Sequence, residues 1–220
     1  MKEPFRRFRG VAAPLPLTDI NTDAIIPSAF LRSETADLAR GLFARWRFDD
    51  GGRERSDFVL NRAPFRCAEI LFAGENFGCG SSREAAVWAL QRFGIRCVAA
   101  PSFADIFYEN AFRNGLLVAL IEPADLAAMI ASLEAAPEDA QVEVDLESQS
   151  MIRGNAARIR FAVPEFRRTA LLRGDDEIAA TLREAEDIAG FIATDRARHP
   201  WLHRAIEATA SEPPRSAVTE

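Results

Sequence analysis

The chain has 220 residues, of which 48% are hydrophobic and 27% charged, so it is typical of a soluble globular protein with a sizeable core. Its formal net charge of −6 argues against a nucleic-acid binder, because such proteins gain affinity by neutralising phosphates. No apolar run approaches the ~18 residues that span a bilayer, and prolines follow the basic start, so we expect a cytoplasmic protein with no membrane segment or secretory signal.

The residue types that the chain lacks exclude several kinds of chemistry. Lys2 is its only lysine, so the rest of the sequence offers none for a Schiff base or a P-loop. The three cysteines are spaced too widely for a disulfide framework, a zinc site or an iron–sulfur site, and both histidines, His199 and His203, stand near the C-terminal end. We therefore expect no metal on this chain, and any reaction must use serine, carboxylates and arginine, or groups from a partner.

Two polar segments come first along the chain. Residues 19–27 read Asp-Ile-Asn-Thr-Asp-Ala-Ile-Ile-Pro. Taken alone, this pattern predicts a turn that enters a strand; it resembles half of a calcium loop but lacks the glycine and the terminal glutamate of that motif. Residues 30–33, Phe-Leu-Arg-Ser, predict an exposed loop on the same local reasoning.

Residues 66–121 alternate between strand and helix patterns. Apolar runs predict three strands, at Cys67–Phe72, Arg96–Ala100 and Leu116–Ile121. Helical spacing predicts one helix over Glu84–Phe93, capped by Gly94, and a second that follows Ser102, carries Phe103 and Phe107 on one face and ends near Gly115. This βαβαβ unit predicts an α/β fold with a parallel sheet covered by helices.

The last third predicts additions to this core. A helix is expected from Pro123, followed by two added strands around Val144 and Phe161 with a turn between them. Asp175 and Asp176 are typical of the start of a further helix, through Ala185. Residues beyond about 205 are rich in proline, serine and glutamate. We expect one compact domain over residues 1–200 and a flexible tail over residues 201–220.

Residues 74–84, Gly-Glu-Asn-Phe-Gly-Cys-Gly-Ser-Ser-Arg-Glu, carry the most chemical information. They lie between a predicted strand and a predicted helix, where α/β folds commonly build ligand sites. The glycines permit a tight turn, Ser81 and Ser82 are expected to open the helix, and its N-terminus together with Arg83 favours an anion. The alternative is structural, because Ser81-x-x-Glu84 also matches a capping box. Neither a dinucleotide fingerprint nor a P-loop fits, since the third glycine and the lysine are missing.

Together these motifs resemble the family of 3-isopropylmalate dehydratase small subunits, which corresponds to the swivelling domain of aconitase. The similarity lies in Asn-Thr-Asp-x-Ile-Ile-Pro, in Asn-Phe-Gly-x-Gly-Ser-Ser-Arg-Glu and in Asp-Ile-Phe-x-x-Asn at residues 105–110, and it runs from about residue 5 to about residue 195. It implies a single compact swivelling β/α domain, like domain 4 of aconitase, with a βαβαβ core and added strands. The implied reaction interconverts 2-isopropylmalate and 3-isopropylmalate by dehydration and rehydration in leucine biosynthesis.

The resemblance also implies a partner and residue roles. A separate large subunit is expected to carry a [4Fe-4S] cluster that binds the hydroxyl of a small hydroxy diacid, while this chain binds no cofactor and works only in the complex. Ser81 is implied as the base that removes a proton from the carbon next to a carboxylate. The implied substrate-binding residues are Thr22, Asp23, Leu31, Arg32, Ser82 and Arg83.

One position departs from the family pattern. Ala85 stands where the family usually has histidine after Ser-Ser-Arg-Glu. The base and the arginine are retained, so the reaction class is still implied, whereas the substrate stays open. The alternatives are the small subunit of a related hydro-lyase for homoaconitate, methylmalate (citraconate) or dimethylmalate, and a non-catalytic anion-binding or regulatory module.

Overall fold

The computed structural model describes residues 3–31, 37–175 and 177–202. The chain separates into two compact units, with the boundary between residues 176 and 177. The domain end expected at residue 200 therefore falls within the second unit, and residues 203–220 of the expected tail lie outside the described residues.

The first unit is built on a mixed seven-stranded sheet with the order β4-β3-β2-β1-β5-β6-β7. The strands are β1 (Arg7–Leu15), β2 (Ile70–Ala73), β3 (Cys97–Ala100), β4 (Leu117–Leu120), β5 (Gln141–Asp145), β6 (Ser150–Ile152) and β7 (Ile159–Arg160). Strands β1 to β4 are parallel, with Leu71 of β2 aligned with Ala13 and Val98 of its neighbours. Strands β5 to β7 extend the sheet antiparallel from β1. The predicted parallel core is confirmed, but three strands and not two are added to it, because β6 forms between the two expected strands and pairs with both β5 and β7.

Helices cover this sheet because its central strands are apolar on both faces, and every residue of β2 and β3 is buried. Among the described residues, the helices of the first unit are α1 (Thr22–Ile25), α2 (Leu38–Gly41), α3 (Ala44–Arg47), α4 (Glu84–Phe93), α5 (Asp105–Asn114), α6 (Pro123–Ala135) and α7 (Glu165–Arg173). The second unit contains α8 (Glu177–Arg183) and α9 (Ala185–Arg198). Helix α4 links β2 to β3, and α5 links β3 to β4. None of the helices in the described ranges is long and apolar enough to cross a membrane.

Helix α4 has the bounds that its helical spacing predicts. Ala86 and Leu90 are buried on its core face, and Gly94 takes the left-handed conformation (φ 118°) that ends the helix. Helix α5 likewise ends at Gly115, with φ 80°. The prediction that Phe103 belongs to α5 is wrong. Phe103 pairs instead with Phe77 in an isolated parallel bridge ahead of the helix, a contact that helical spacing alone does not reveal.

Three further predictions are corrected. Residues 22–25 form the short helix α1 and not the entry to a strand, because the side chain of Asn21 accepts a hydrogen bond from the backbone N–H of Ala24 and caps the turn. The strand predicted at Cys67–Phe72 is β2 and begins only at Ile70, since a 3₁₀ turn occupies Phe65–Cys67. In the second unit, the single helix expected through Ala185 is two helices, α8 and α9, and Ala185 begins the second.

Candidate active site

Three connecting segments meet at the carboxyl edge of the parallel strands. Residues 16–26 follow β1, residues 74–83 follow β2 and residues 101–104 follow β3. Backbone hydrogen bonds join them, since the N–H of Gly78 donates to the carbonyl of Ile20 at 2.7 Å. On the other side, the N–H of Ala104 donates to the carbonyl of Phe77 at 3.0 Å. This edge is where parallel α/β sheets commonly bind ligands.

Residues 74–83, which we name the site loop, turn sharply because alternate residues adopt left-handed conformations. Asn76 has φ 56°, Gly78 has φ 79° and Gly80 has φ 88°. Asn76 is held in this conformation on both sides, because its Nδ2 donates to Asp19 Oδ1 at 2.7 Å and its N–H donates to Ser102 Oγ at 2.8 Å. The site loop is therefore anchored to both neighbouring segments before it reaches Ser81.

Gly78 is a stringent test of this loop geometry. A Cβ at this position would lie 2.2 Å from Cγ of Phe107, and its φ of 79° disfavours any side chain. We expect Gly78→Ala to lower the free energy of unfolding by about 3 kcal/mol, from the left-handed penalty and the steric overlap together. Urea denaturation of the isolated chain measures this loss.

A matched glycine provides the control. A Cβ at Gly190, in α9, would meet nothing within 4 Å. Gly190→Ala is therefore expected to leave stability unchanged or to raise it by up to ~1 kcal/mol, because alanine favours a helix more than glycine does. Equal denaturation midpoints for the Gly78 variant and the unmodified chain would show that the loop geometry is wrong.

Helix α4 begins three residues later than Ser81. Its N-cap is Arg83, and no side chain caps it. The expectation that Ser81 and Ser82 open the helix is wrong, and so is the capping box, because the carboxylate of Glu84 accepts a hydrogen bond from Asn114 Nδ2 at 2.7 Å. Both serines instead continue the site loop, exposed, just ahead of the positive end of α4.

Helix α1 packs directly against the site loop. Thr22 is buried, with 2% of its surface exposed, and its N–H donates to the carbonyl of Cys79 at 2.9 Å. Its hydroxyl Oγ1 donates to the carbonyl of Ser81 at 2.8 Å. Asp23, the next residue, accepts a hydrogen bond from Nη1 of Arg83 through Oδ1 at 2.5 Å. Thr22 and Asp23 of the Asn-Thr-Asp motif thus contact Ser81 and Arg83 of the Ser-Ser-Arg motif.

Arg83 is held in a partly buried position. Its side chain is 20% exposed, against 41% for that of Asp23. Nη1 also lies 3.4 Å from the carbonyl of Ile26. Because both contacts use Nη1, the Nη2 and Nε edge of the guanidinium makes no hydrogen bond within the described part of the chain and remains for a ligand.

The structure brings most of the predicted site residues together. Four of them are joined by the contacts above: Thr22, Asp23, Ser81 and Arg83. Ser82 adjoins them in sequence and is exposed, and within the described ranges neither serine hydroxyl is hydrogen-bonded to protein. Leu31 ends a 3₁₀ turn and is 39% exposed. Arg32 lies outside the described residues.

Sequence reasoning missed three polar residues that fix the site loop. Asp19, Asn76 and Ser102 form a chain of hydrogen bonds across the three segments. A signal was present for Asn76, since asparagine is, apart from glycine, among the residue types that best tolerate a left-handed conformation. For the other two, nothing local indicates the contact, because their partners are 57 and 26 residues away.

The described residues do not fit a metal cluster. They contain no group of three or more histidine, cysteine, aspartate or glutamate residues placed to hold a metal ion. The cysteines are free and differ in surroundings: Cys67 is exposed, Cys79 is partly buried and Cys97 is buried in β3, where burial raises the pKa of its thiol. A deprotonated thiolate, which iron requires, is disfavoured at Cys97.

Comparison with known proteins identifies the family. Residues 2–123 match the model of the aconitase C-terminal domain. The 3-isopropylmalate dehydratase small subunit of Rhodospirillum centenum is 50% identical over 201 residues, which cover 90% of this chain and 98% of that protein. The protein of the same name from Jannaschia sp. is 48% identical over 203 residues, covering 91% of this chain and 100% of its own.

A solved structure agrees with these relatives. The crystal structure of 3-isopropylmalate dehydratase from Methanocaldococcus jannaschii matches with a TM-score of 0.57 at 30% identity, covering 84% of this chain and 98% of that one. The resemblance inferred from the motifs is thereby confirmed, and so is the α/β fold. Because residues 2–123 match the aconitase C-terminal domain and the relatives are matched over nearly their whole length, the chain belongs to the family of 3-isopropylmalate dehydratase small subunits.

Proposed function

We propose that this chain is the small subunit of a two-subunit hydro-lyase that interconverts 2-isopropylmalate and 3-isopropylmalate in leucine biosynthesis. The relatives' shared name supports the reaction. The observation that carries the proposal is the contact between α1 and the site loop, which holds an exposed serine beside a partly buried arginine. A cytoplasmic location stays a prediction from composition.

In this proposal, Arg83 and Ser82 bind a carboxylate of the substrate. Arg83 has one guanidinium nitrogen on Asp23, and its free edge offers two parallel N–H donors with the spacing of a carboxylate. The exposed hydroxyl of Ser82 and the N-terminus of α4 add further stabilisation for negative charge. Leu31, exposed on its 3₁₀ turn, is proposed as an apolar contact for the substrate's side group.

Ser81 is proposed as the base. Its Oγ, as the alkoxide, would take the proton from the carbon next to the bound carboxylate, and the C–H electron pair would form the alkene. The hydroxyl would leave the neighbouring carbon with its bonding electron pair, as hydroxide, so that this hydroxide and the removed proton together make up the water that is lost. Rehydration with the hydroxyl on the other carbon gives the isomer. A serine hydroxyl is a weak base in water, so its alkoxide needs positive potential, which Arg83 and the N-terminus of α4 supply. The same groups stabilise the charge that develops on the carboxylate.

The proposal assigns the [4Fe-4S] cluster to a large partner subunit. Its support in this chain is the ligand inventory, since the described residues offer no group of metal-binding side chains. Residues 80–82 of the site loop are exposed, which is consistent with a half-site that a second polypeptide completes.

The substrate assignment is tested in the complex reconstituted with a large subunit. An apolar side-chain pocket discriminates between substrates by ~10–200-fold, so we expect kcat/KM for 2-isopropylmalate to exceed that for methylmalate, dimethylmalate and homoaconitate by at least about 10-fold. If kcat/KM were highest for one of the other diacids, the chain would instead be assigned as the small subunit of a related hydro-lyase. A complex that turns over none of them would favour a non-catalytic anion-binding module.

A further inference from the structure

Thr22 holds the turn that presents Ser81. Its backbone N–H donates to the carbonyl of Cys79, and its hydroxyl donates to the carbonyl of Ser81. The two acceptors lie on either side of Gly80, whose φ of 88° turns the chain. We propose that Thr22 is a positioning residue for Ser81: it fixes the direction of the base without touching the substrate. This inference rests on the proposed function of Ser81.

Burial separates Thr22 from the substrate. Only 2% of its surface is exposed, whereas Ser81 is exposed, and its hydroxyl proton is already donated to a backbone carbonyl. A side chain in this state has no donor left for a carboxylate. The sequence-based expectation that Thr22 lines the substrate site is thus replaced by a role through Ser81.

The hydroxyl is also not needed for helix α1. The cap of that helix is Asn21, whose side chain accepts the hydrogen bond from the N–H of Ala24. The backbone of Thr22 takes part in the helix through its carbonyl, which accepts from the N–H of Ile26. Its side-chain hydrogen bond therefore serves the site loop, 59 residues away in sequence.

Gly80 makes this hydrogen bond matter. Glycine has more backbone freedom than any other residue, so the orientation of the following serine depends on contacts outside the turn. Within the described residues, Ser81 has one such side-chain contact, the hydroxyl of Thr22 on its carbonyl. A displacement of ~1 Å at a reacting group costs on the order of 10²-fold in rate, so this anchor is expected to affect catalysis far more than folding.

The test compares three small-subunit variants in the reconstituted complex. Thr22→Val keeps the shape but removes the donor, and we expect kcat to fall by about 10–100-fold with KM within about threefold. Thr22→Ser keeps the hydroxyl and is expected to restore kcat to within about threefold. Thr22→Ala only removes atoms, so it replaces the valine variant if that chain does not fold, as judged by thermal melting.

A double variant separates positioning from a general structural role. If Thr22 acts through Ser81, then adding Thr22→Val to Ser81→Ala slows the complex little further, because effects on one catalytic unit are not additive. The inference is overturned if Ser81→Ala is slow but Thr22→Val is normal, or if the two losses multiply. Normal turnover by Ser81→Ala alone would instead overturn the proposed base, and with it this role for Thr22.

Discussion

Replacing Ser81 with alanine in the reconstituted complex is expected to lower kcat by on the order of 10²–10³-fold. The loss follows from removing the only group proposed to accept the substrate proton, an interaction made as the C–H bond breaks. Folding should be unaffected, because the side chain is exposed and has no hydrogen bond to protein within the described ranges. Steady-state kinetics at saturating substrate give kcat, and thermal melting checks the fold.

Ser56→Ala is the matched control for this variant. Ser56 is exposed in a turn of the same unit, outside the segments that form the site, and its substitution should leave kcat within about twofold. Normal turnover by Ser81→Ala, with the control also normal, would remove Ser81 from the reaction. Ser81 would then be a structural residue of the site loop with no role in catalysis.

Arg83→Lys is expected to be nearly as damaging although the charge is kept. Lysine offers a single ammonium in place of a planar fork, and Asp23 is positioned to pair with it, so no two parallel donors remain for a carboxylate. We expect kcat/KM to fall by about 100-fold, with a large share in KM because the contact is made in the ground state as well. Initial rates across substrate concentrations separate the two parameters.

A second arginine, at the other end of α4, provides the control for replacing arginine with lysine. Arg92 is exposed in the last turn of α4, and Arg92→Lys should leave kcat/KM within about twofold. If Arg83→Lys matched this control, bidentate recognition by Arg83 would be wrong and a positive charge alone would suffice.

The core of the fold could be predicted because its signals are local. Helix α4 shows helical spacing and ends at a glycine that adopts φ 118°. Strand β1, by contrast, has no matching pattern: it begins with Arg7, carries Pro14 near its end and finds its register only by pairing with β2 and β5. The position of β1 in the sheet thus depends on contacts with strands that are distant in sequence, which no short stretch of sequence contains.

In the candidate site too, features with local sequence signals could be predicted, whereas features set by distant contacts could not. The residue types at Ser81 to Arg83 indicate an anion site from the sequence alone, whereas the capping box that Ser81 and Glu84 suggest does not form. The reason is that Glu84, which a capping box requires, bonds instead with Asn114, 30 residues away. The pairing of α1 with the site loop spans about 60 residues, so its geometry could only come from the fold.

Isomer interconversion by the separate and the combined subunits tests most directly whether the reaction needs both polypeptides. The small chain, freed of iron, and the large subunit alone are each expected to be inactive with 2-isopropylmalate, while their mixture forms 3-isopropylmalate in proportion to the limiting subunit. Turnover by the iron-free small chain on its own would contradict the division of the reaction between two polypeptides.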